Sequence, residues 1–446
     1  MKYHITPSTT FTGMHKVAPD KSISHRSIMF GSLANGVTRV TNFLEGEDAL
    51  STLQAFRDMG VQIDRDGDKV TIYGVGMGGL KAPKKPLDMG NSGTSMRLLS
   101  GILSAQDFDS TMIGDESLSK RPMERVAKPL RQMGAVIATT GEKGTPPITI
   151  TGGQTLSAIH YNMPMASAQV KSCLLLAGLW VKGETVVIEP EITRDHTERM
   201  LNAFGYDVKV TPLQNGNEIR LTGGGQLTAC DIEVPADISA AAFFMVAGLI
   251  AKTGDVVLPK VGINPTRTGV IDILRLMGAD ITLQNQTLVG GEPVADICVK
   301  SSPLHGIEIP LHLVPLAIDE FPVIFIASSC ATGKTVLRGA EELRVKESDR
   351  IQVMADGLTT LGIDCTVLDD GIEIIGRGQS EFVFGGGEIE CHHDHRIAMS
   401  FAVASLRASD EIVINGTQTV ATSFPNFATL AKEAGLHLEI VDTDLS

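Results

Sequence analysis

Four short segments of this chain place hydroxyl, amide and cationic side chains where a helix should begin. They are Lys21-Ser22-Ile23-Ser24-His25-Arg26, Asn91-Ser92-Gly93-Thr94-Ser95-Met96-Arg97, Ala166-Ser167-Ala168-Gln169-Val170-Lys171 and Asp394-His395-Arg396. A helix N-terminus offers unbonded backbone N–H groups and a partial positive charge, so it attracts anions. Serine, threonine and glycine keep the approach open, while lysine and arginine add full charge. A serine at a single helix start is ordinarily an N-cap. Four such segments, three of them with an arginine inside the first two turns, go beyond what capping requires. Their joint reading is one or two anionic ligands.

The densest charged run is Arg344-Val345-Lys346-Glu347-Ser348-Asp349-Arg350. Taken alone it reads as a solvated helix start. With water excluded, a carboxylate such as Glu347 among cations can serve as a general acid or base. Lys120-Arg121-Pro122 forms a further basic patch on a loop after Gly114. Two other motifs carry less. Ala331-Thr332-Gly333-Lys334-Thr335 resembles the end of a phosphate-binding loop, but Ser328 stands where its first glycine belongs. Cys391-His392-His393-Asp394-His395 has metal-binding residue types, but consecutive ligands cannot all converge on one ion, so no metal is expected.

These segments need a frame, and a repeat supplies it. A helix that stops at glycine and turns into a strand recurs six times, at Gly60, Gly134, Gly205, Gly278, Gly362 and Gly435. Intervals of roughly 70 to 85 residues mark a repeated supersecondary unit. Each unit opens with an Ala/Leu-rich helix, for example Ser24–Ala34, Ala168–Leu179, Ala240–Ala251 and Ile397–Leu406. Several of these end at a glycine suited to a left-handed C-cap (Gly36, Gly183, Gly254). A β-branched strand, a second helix and a hairpin follow, as in Val61–Asp64 and Lys69–Tyr73 around Asp66-Gly67. Three units could make one globule and six would make two, with the anionic ligands held between them. The crossover is expected near Pro235 to Ser239. The longest interval, between Gly278 and Gly362, holds an insertion.

Composition narrows the function. The 446 residues carry a net charge of −14, which argues against a nucleic-acid binder, whose footprint is basic. Apolar residues are 43% and charged residues 20%, ordinary for a soluble globular protein. The longest purely apolar run, Ala240 to Ala251, is too short to span a bilayer, so no membrane partner is expected. Met1 to Gly13 lacks the apolar stretch of a secretory signal. Six cysteines without a C-x-x-C pair read as buried thiols in a reducing compartment. A cytoplasmic enzyme is the expectation.

The motifs together resemble the 5-enolpyruvylshikimate-3-phosphate synthase family (3-phosphoshikimate 1-carboxyvinyltransferase). The matching residues are Asp20 to Arg26, Gly90-Asn91-Ser92-Gly93-Thr94, Lys120-Arg121-Pro122-Met123, Arg344 to Arg350 and Asp394-His395-Arg396. The resemblance covers essentially the whole chain. It implies an α/β fold of two inverse globular domains, each of three βαβαββ units. The expected boundaries are 18–236 for one globule and 1–17 plus 237–446 for the other. It implies transfer of the enolpyruvyl group of phosphoenolpyruvate to the 5-hydroxyl of shikimate 3-phosphate, with no cofactor. A monomer is the expectation, though the sequence does not give the oligomeric state.

Carried over motif by motif, the resemblance assigns Lys21, Ser22, Arg26, Ser167, Ala168, Gln169, Arg194, Asp319 and Lys346 to shikimate 3-phosphate. It assigns Lys21, Asn91, Gly93, Arg121, Gln169, Arg350 and Arg396 to phosphoenolpyruvate. Asp319 is implied as the base for the 5-hydroxyl and Glu347 as the group that exchanges a proton with the enol methylene; Lys21 completes the catalytic set. One departure stands out: Thr422, in Ala421-Thr422-Ser423-Phe424-Pro425, occupies the place of a lysine that many members use. Together with Ser167-Ala168-Gln169 and Arg194-Asp195-His196-Thr197, that resembles the subclass often called class II, whose members tend to tolerate glyphosate, while Gly93 leaves sensitivity to this inhibitor open.

The residue types suit the implied reaction. Two substrates with about three negative charges each, about 5 Å apart in water, would repel by roughly 7 kcal/mol. Cations and helix N-termini must offset that. Three other readings compete. The sister transferase acting on UDP-N-acetylglucosamine typically uses a loop cysteine five residues before an Arg-Pro pair, where this chain has Glu116. RNA 3′-phosphate cyclase shares the fold but is opposed by the acidic balance. The last is a non-catalytic anion-binding scaffold.

Overall fold

The computed structural model describes residues 1–289 and 291–442. Residues 443–446, within the expected C-terminal globule, lie outside the described residues. The chain forms two compact units, Lys21–Val234 and Met1–Asp20 with Pro235–Ser446. These divisions fall two or three residues from the expected ones.

The unit Lys21–Val234 contains α1 (Lys21–Leu33), α2 (Glu47–Asp58), α3 (Gly93–Ser104), α4 (Glu124–Gln132), α5 (Ala168–Gly178) and α6 (His196–Ala203). The odd-numbered helices are buried almost all round; small and apolar residues fill most of their faces, and Arg26, Arg97 and Lys171 are buried with them. α3 and α5 pack so closely that a Cβ on Gly101 would collide with the Cys173 carbonyl. Three four-stranded sheets cover them. In the first, Val37–Thr41 pairs antiparallel with Lys69–Tyr73, which pairs with Gln62–Asp66. The fourth strand, Ile232–Glu233, comes from the far end of the unit and runs parallel to Val37–Thr41, closing a ring of three repeats. The other two sheets have the same pattern.

The second unit contains α7 (Ile238–Ile250), α8 (Gly269–Leu276), α9 (Phe321–Ser329), α10 (Arg350–Thr360), α11 (His395–Ala404) and α12 (Phe427–Ala434). Its buried helices are α7, α9 and α11. The start of the chain supplies two of its strands. Lys2–Thr6 lies between Ile412–Asn415 and His437–Val441, antiparallel to both, and Thr10–Met14 runs parallel to Thr253–Gly262. The long interval before Gly362 is explained by an extended hairpin, Asp280–Val289 with Glu292–Lys300, and by the 3-10 turns Leu311–Leu313 and Pro315–Glu320.

All six recurring glycines adopt left-handed φ, between 78° and 137°, where a Cβ would be strained. Four details differ from expectation. The first helix begins at Lys21, not Ser24, so Lys21 and Ser22 occupy its first turn. The hairpin turn is Gly67-Asp68, since Asp66 still pairs with Lys69. Gly254 is no C-cap: it lies within the strand Thr253–Gly262, where a Cβ would collide with the Gly248 carbonyl on α7. Of the six cysteine thiols, Cys230, Cys298 and Cys365 are only half-buried. Among the described residues no helix is long and apolar enough to cross a membrane.

Candidate active site

In the unit Lys21–Val234, three helix starts carry the assigned residues. Lys21 opens α1, and its Nζ lies 2.8 Å from Asp48 Oδ2 in the first turn of α2. Arg26, on the same helix, is buried. Its Nε donates to Thr197 Oγ1 (2.8 Å) and its Nη2 to Ser172 Oγ (3.2 Å), so it ties α1 to α5 and α6. Nη1 returns to the Ser22 carbonyl at 3.1 Å.

Ser167 caps α5 by accepting from the Val170 amide. Gln169, in the first turn of α5, donates to Thr94 Oγ1 at 3.0 Å and accepts from Arg97 Nη1. Arg97 is thereby fixed beside the start of α3; the resemblance did not assign it, although it closes one of the four motifs. Gly93 begins α3, and a Cβ there would stand 3.2 Å from Arg121 Nη1 and 3.3 Å from Arg97 Nη1. Arg121 is buried against Asn91, donating to its carbonyl (3.0 Å) and to its Oδ1 (2.8 Å). Lys120, its neighbour in sequence, points to solvent and pairs with Glu116. Within this unit the structure thus links Asn91, Gly93, Arg121 and Gln169, and separately joins Ser22 and Arg26.

Arg194 lies half-buried on the loop before α6. That loop is anchored from below. Lys171, wholly buried on α5, pairs with Glu189 (3.0 Å) and Glu198 (2.8 Å), and Glu189 also accepts from the Thr193 hydroxyl at 2.7 Å. Burial alone would lower the lysine's pKa, but Glu198 and Glu189 outweigh it and hold it above the ordinary value. Burial raises the Glu198 carboxyl, and Lys171 only partly opposes this.

The second unit builds its cluster on one guanidinium. Arg350, the first residue of α10, is fully buried. Nε lies 2.9 Å from Asp394 Oδ2, and Nη2 lies 3.2 Å from Asp394 Oδ1 and 2.7 Å from Glu347 Oε2. Nη1 lies 3.3 Å from Asp319 Oδ1. Burial would lower its pKa, but Asp394, Glu347 and Asp319 raise it, so the charge is permanent. Lys346 Nζ reaches Asp319 Oδ1 at 3.5 Å and Glu342 Oε1 at 3.7 Å. Arg396, in the first turn of α11, donates to the Asp319 carbonyl at 3.4 Å. Asp319, Lys346, Glu347, Arg350 and Arg396 therefore meet in one place.

Asp394 caps α11 by accepting from the Arg396 amide at 3.1 Å. The turn before it is strained: His392 and His393 both take left-handed φ, 49° and 57°, at a cost of about 1–2 kcal/mol each. Thr422 is buried and donates to the Thr419 carbonyl at 2.7 Å, with His395 Nδ1 3.3 Å away. Among the described residues no group of three His, Cys, Asp or Glu side chains could hold a metal ion.

Sequence reasoning missed Asp48 and Asp394 as partners of these cations. An acid in a first helical turn is common wherever a helix begins, so local sequence did not distinguish Asp48.

Comparison with known proteins places this arrangement. The family model described as EPSP synthase (3-phosphoshikimate 1-carboxyvinyltransferase) matches residues 5–430. A 3-phosphoshikimate 1-carboxyvinyltransferase of Ruthia magnifica subsp. Calyptogena magnifica is 60% identical over 99% of this chain and 100% of its own. An EPSP synthase structure from Acinetobacter baumannii is 65% identical, covers 99% of this chain and 100% of its own, and superposes with a TM-score of 0.86. The enolpyruvyl transferase NikO of Streptomyces tendae, 16% identical with a TM-score of 0.79 over 98% of each chain, shares the fold. Two units of three repeats and these matches over nearly the whole chain lead to one conclusion: the chain belongs to the EPSP synthase (3-phosphoshikimate 1-carboxyvinyltransferase) family.

Proposed function

We propose that the side chains described above divide the work of the family's reaction. That reaction is this chain's: the enolpyruvyl group of phosphoenolpyruvate passes to the 5-hydroxyl of shikimate 3-phosphate, and phosphate leaves. It is the shikimate-pathway step toward chorismate and the aromatic amino acids. Lys21, Ser22, Arg26, Ser167, Ala168, Gln169 and Arg194 hold shikimate 3-phosphate, with Lys346 and Asp319 at its reacting side. Lys21, Asn91, Gly93, Arg121, Gln169, Arg350 and Arg396 hold phosphoenolpyruvate.

The observation that carries the assignment is the pair of carboxylates on Arg350. Asp319 and Glu347 lie on different nitrogens of one buried guanidinium, 3.3 and 2.7 Å away. The reaction needs two such groups. Asp319 takes the proton of the attacking 5-hydroxyl. Glu347 gives a proton to the methylene carbon, leaving positive charge at the carbon that bears phosphate, and the hydroxyl oxygen bonds there. Glu347 then takes a proton from the new methyl group as the bond to phosphate breaks. General acid–base help of this kind is worth about 10²–10⁴-fold. Arg350 keeps its charge throughout and fixes both carboxylates.

The enzyme works in the cytoplasm in this reading, where its six free cysteines stay reduced. It works as a monomer, every named cation coming from one chain; a stable dimer by light scattering would overturn that part. Phosphate release that requires both substrates together tests the reaction. Release with UDP-N-acetylglucosamine in place of shikimate 3-phosphate would sink it.

A further inference from the structure

Arg267 lies in the unit formed by the two ends of the chain, 2% exposed and faced by acidic side chains. Nη1 donates to Asp20 Oδ2 at 3.0 Å. Nη2 donates to Asp237 Oδ1 at 2.9 Å and to Ser239 Oγ at 2.8 Å. The Ser239 hydroxyl in turn donates to Glu320 Oε1.

These partners occupy special places. The chain leaves this unit after Asp20 and returns at Pro235. The two crossings run side by side, Asp20 N to Pro235 O and Asp237 N to Ala18 O, both at 2.8 Å. One arginine therefore grips both. Lys21 follows Asp20 directly, and Asp319 precedes Glu320 directly. Stability alone does not call for such a device. A buried ion cluster gains little over well-packed apolar side chains, because desolvation offsets its attraction. What a buried, fully bonded guanidinium supplies is geometry, since its donors form a rigid fork.

We propose that Arg267 is a positioning residue for enolpyruvyl transfer, setting Lys21 through Asp20, and Asp319 through Ser239 and Glu320. The proposal rests on the roles given above to Lys21 and Asp319.

Three variants and one combination test it. Ser239→Ala removes a hydroxyl and no charge, so it leaves the carboxylates compensated. It should lower kcat about tenfold by loosening Asp319. Calorimetric affinity for shikimate 3-phosphate should stay at the wild-type value, and the substitution should cost nothing further in an Asp319→Asn background. Arg267→Lys keeps the charge but not the fork; it should lower kcat and also weaken shikimate 3-phosphate binding, each about tenfold. Wild-type kcat in Ser239→Ala, or a loss that persists undiminished in the Asp319→Asn background, overturns the Asp319 arm. Wild-type affinity in Arg267→Lys overturns the Lys21 arm. Normal turnover in Asp319→Asn alone sinks the assignment of Asp319 and takes that arm with it. A slow Asp319→Asn beside a fully active Ser239→Ala sinks the inference alone.

Discussion

Arg350 and Asp394 face each other as a buried two-pronged pair, Nε to Oδ2 at 2.9 Å and Nη2 to Oδ1 at 3.2 Å. Several other contacts of that cluster converge on this pair. Glu347 and Asp319 bond the same guanidinium, and Asp394 also caps the helix that carries Arg396. Four proposed ligand or catalytic groups, Arg350, Glu347, Asp319 and Arg396, are thus tied to one carboxylate that the reaction does not consume.

Breaking the pair from the Asp394 side should cost stability. Asp394→Ala leaves a buried guanidinium short of its main partner, and such losses run to about 3–5 kcal/mol. Urea unfolding should report that drop, and a loss under about 1 kcal/mol would contradict it.

Glu347 sits at the solvent side of the cluster, 15% exposed, so its amide isostere should fold normally. Glu347→Gln should lower turnover by at least about 100-fold while shikimate 3-phosphate still binds. Near-normal turnover would remove Glu347 from proton transfer.

Gly93 leaves the space that two guanidinium groups occupy. In Gly93→Ala the new methyl group would stand 3.2 Å from Arg121 Nη1 and 3.3 Å from Arg97 Nη1, tighter than ordinary contact. Arg121 must give way, so KM for phosphoenolpyruvate should rise about tenfold, with a smaller change in shikimate 3-phosphate affinity. An unchanged KM would separate Gly93 from that subsite. Inhibition by glyphosate, compared in the same two proteins, shows whether the position also sets tolerance.

His25 carries a pH signature. It is fully buried, its Nδ1 lying 2.8 Å from Thr52 Oγ1 and 3.3 Å from Ser95 Oγ. Burial first, then Lys21 and Arg26, pushes its pKa well below 6.5. The unfolded chain therefore binds a proton near pH 6.5 that the folded chain refuses. From this group, stability is complete above that pH and declines as pH falls toward the folded value. The slope is about 1.4 kcal/mol per pH unit. Urea unfolding at a series of pH values between 7 and 5 should show a steeper decline in wild type than in His25→Asn. Parallel curves would rule the contribution out.

Much of the fold was readable because its signals are local. A helix-stop glycine needs left-handed φ whatever packs around it, so Gly60 and its five counterparts exposed the repeat. Gly254 misled because glycine has a second use: it lets a strand lie against a helix backbone, and that need is visible only in the packed pair. The insertion before Gly362 was legible as a length. That it became a longer hairpin and two 3-10 turns was not.

The sequence by itself determined that helices begin in or just after the segments opening at Lys21, Asn91, Ala166 and Asp394, though not always at which residue, because capping residues and helix dipoles act within one or two turns. Tertiary structure alone decided which charges are neutralised and which face outward. Arg121 is buried on Asn91 while adjacent Lys120 is solvated, and Arg267 reaches Asp20 across 247 positions. Pairing of this kind depends on desolvation and on distances of about 3 Å, which sequence spacing does not encode once the chain has doubled back.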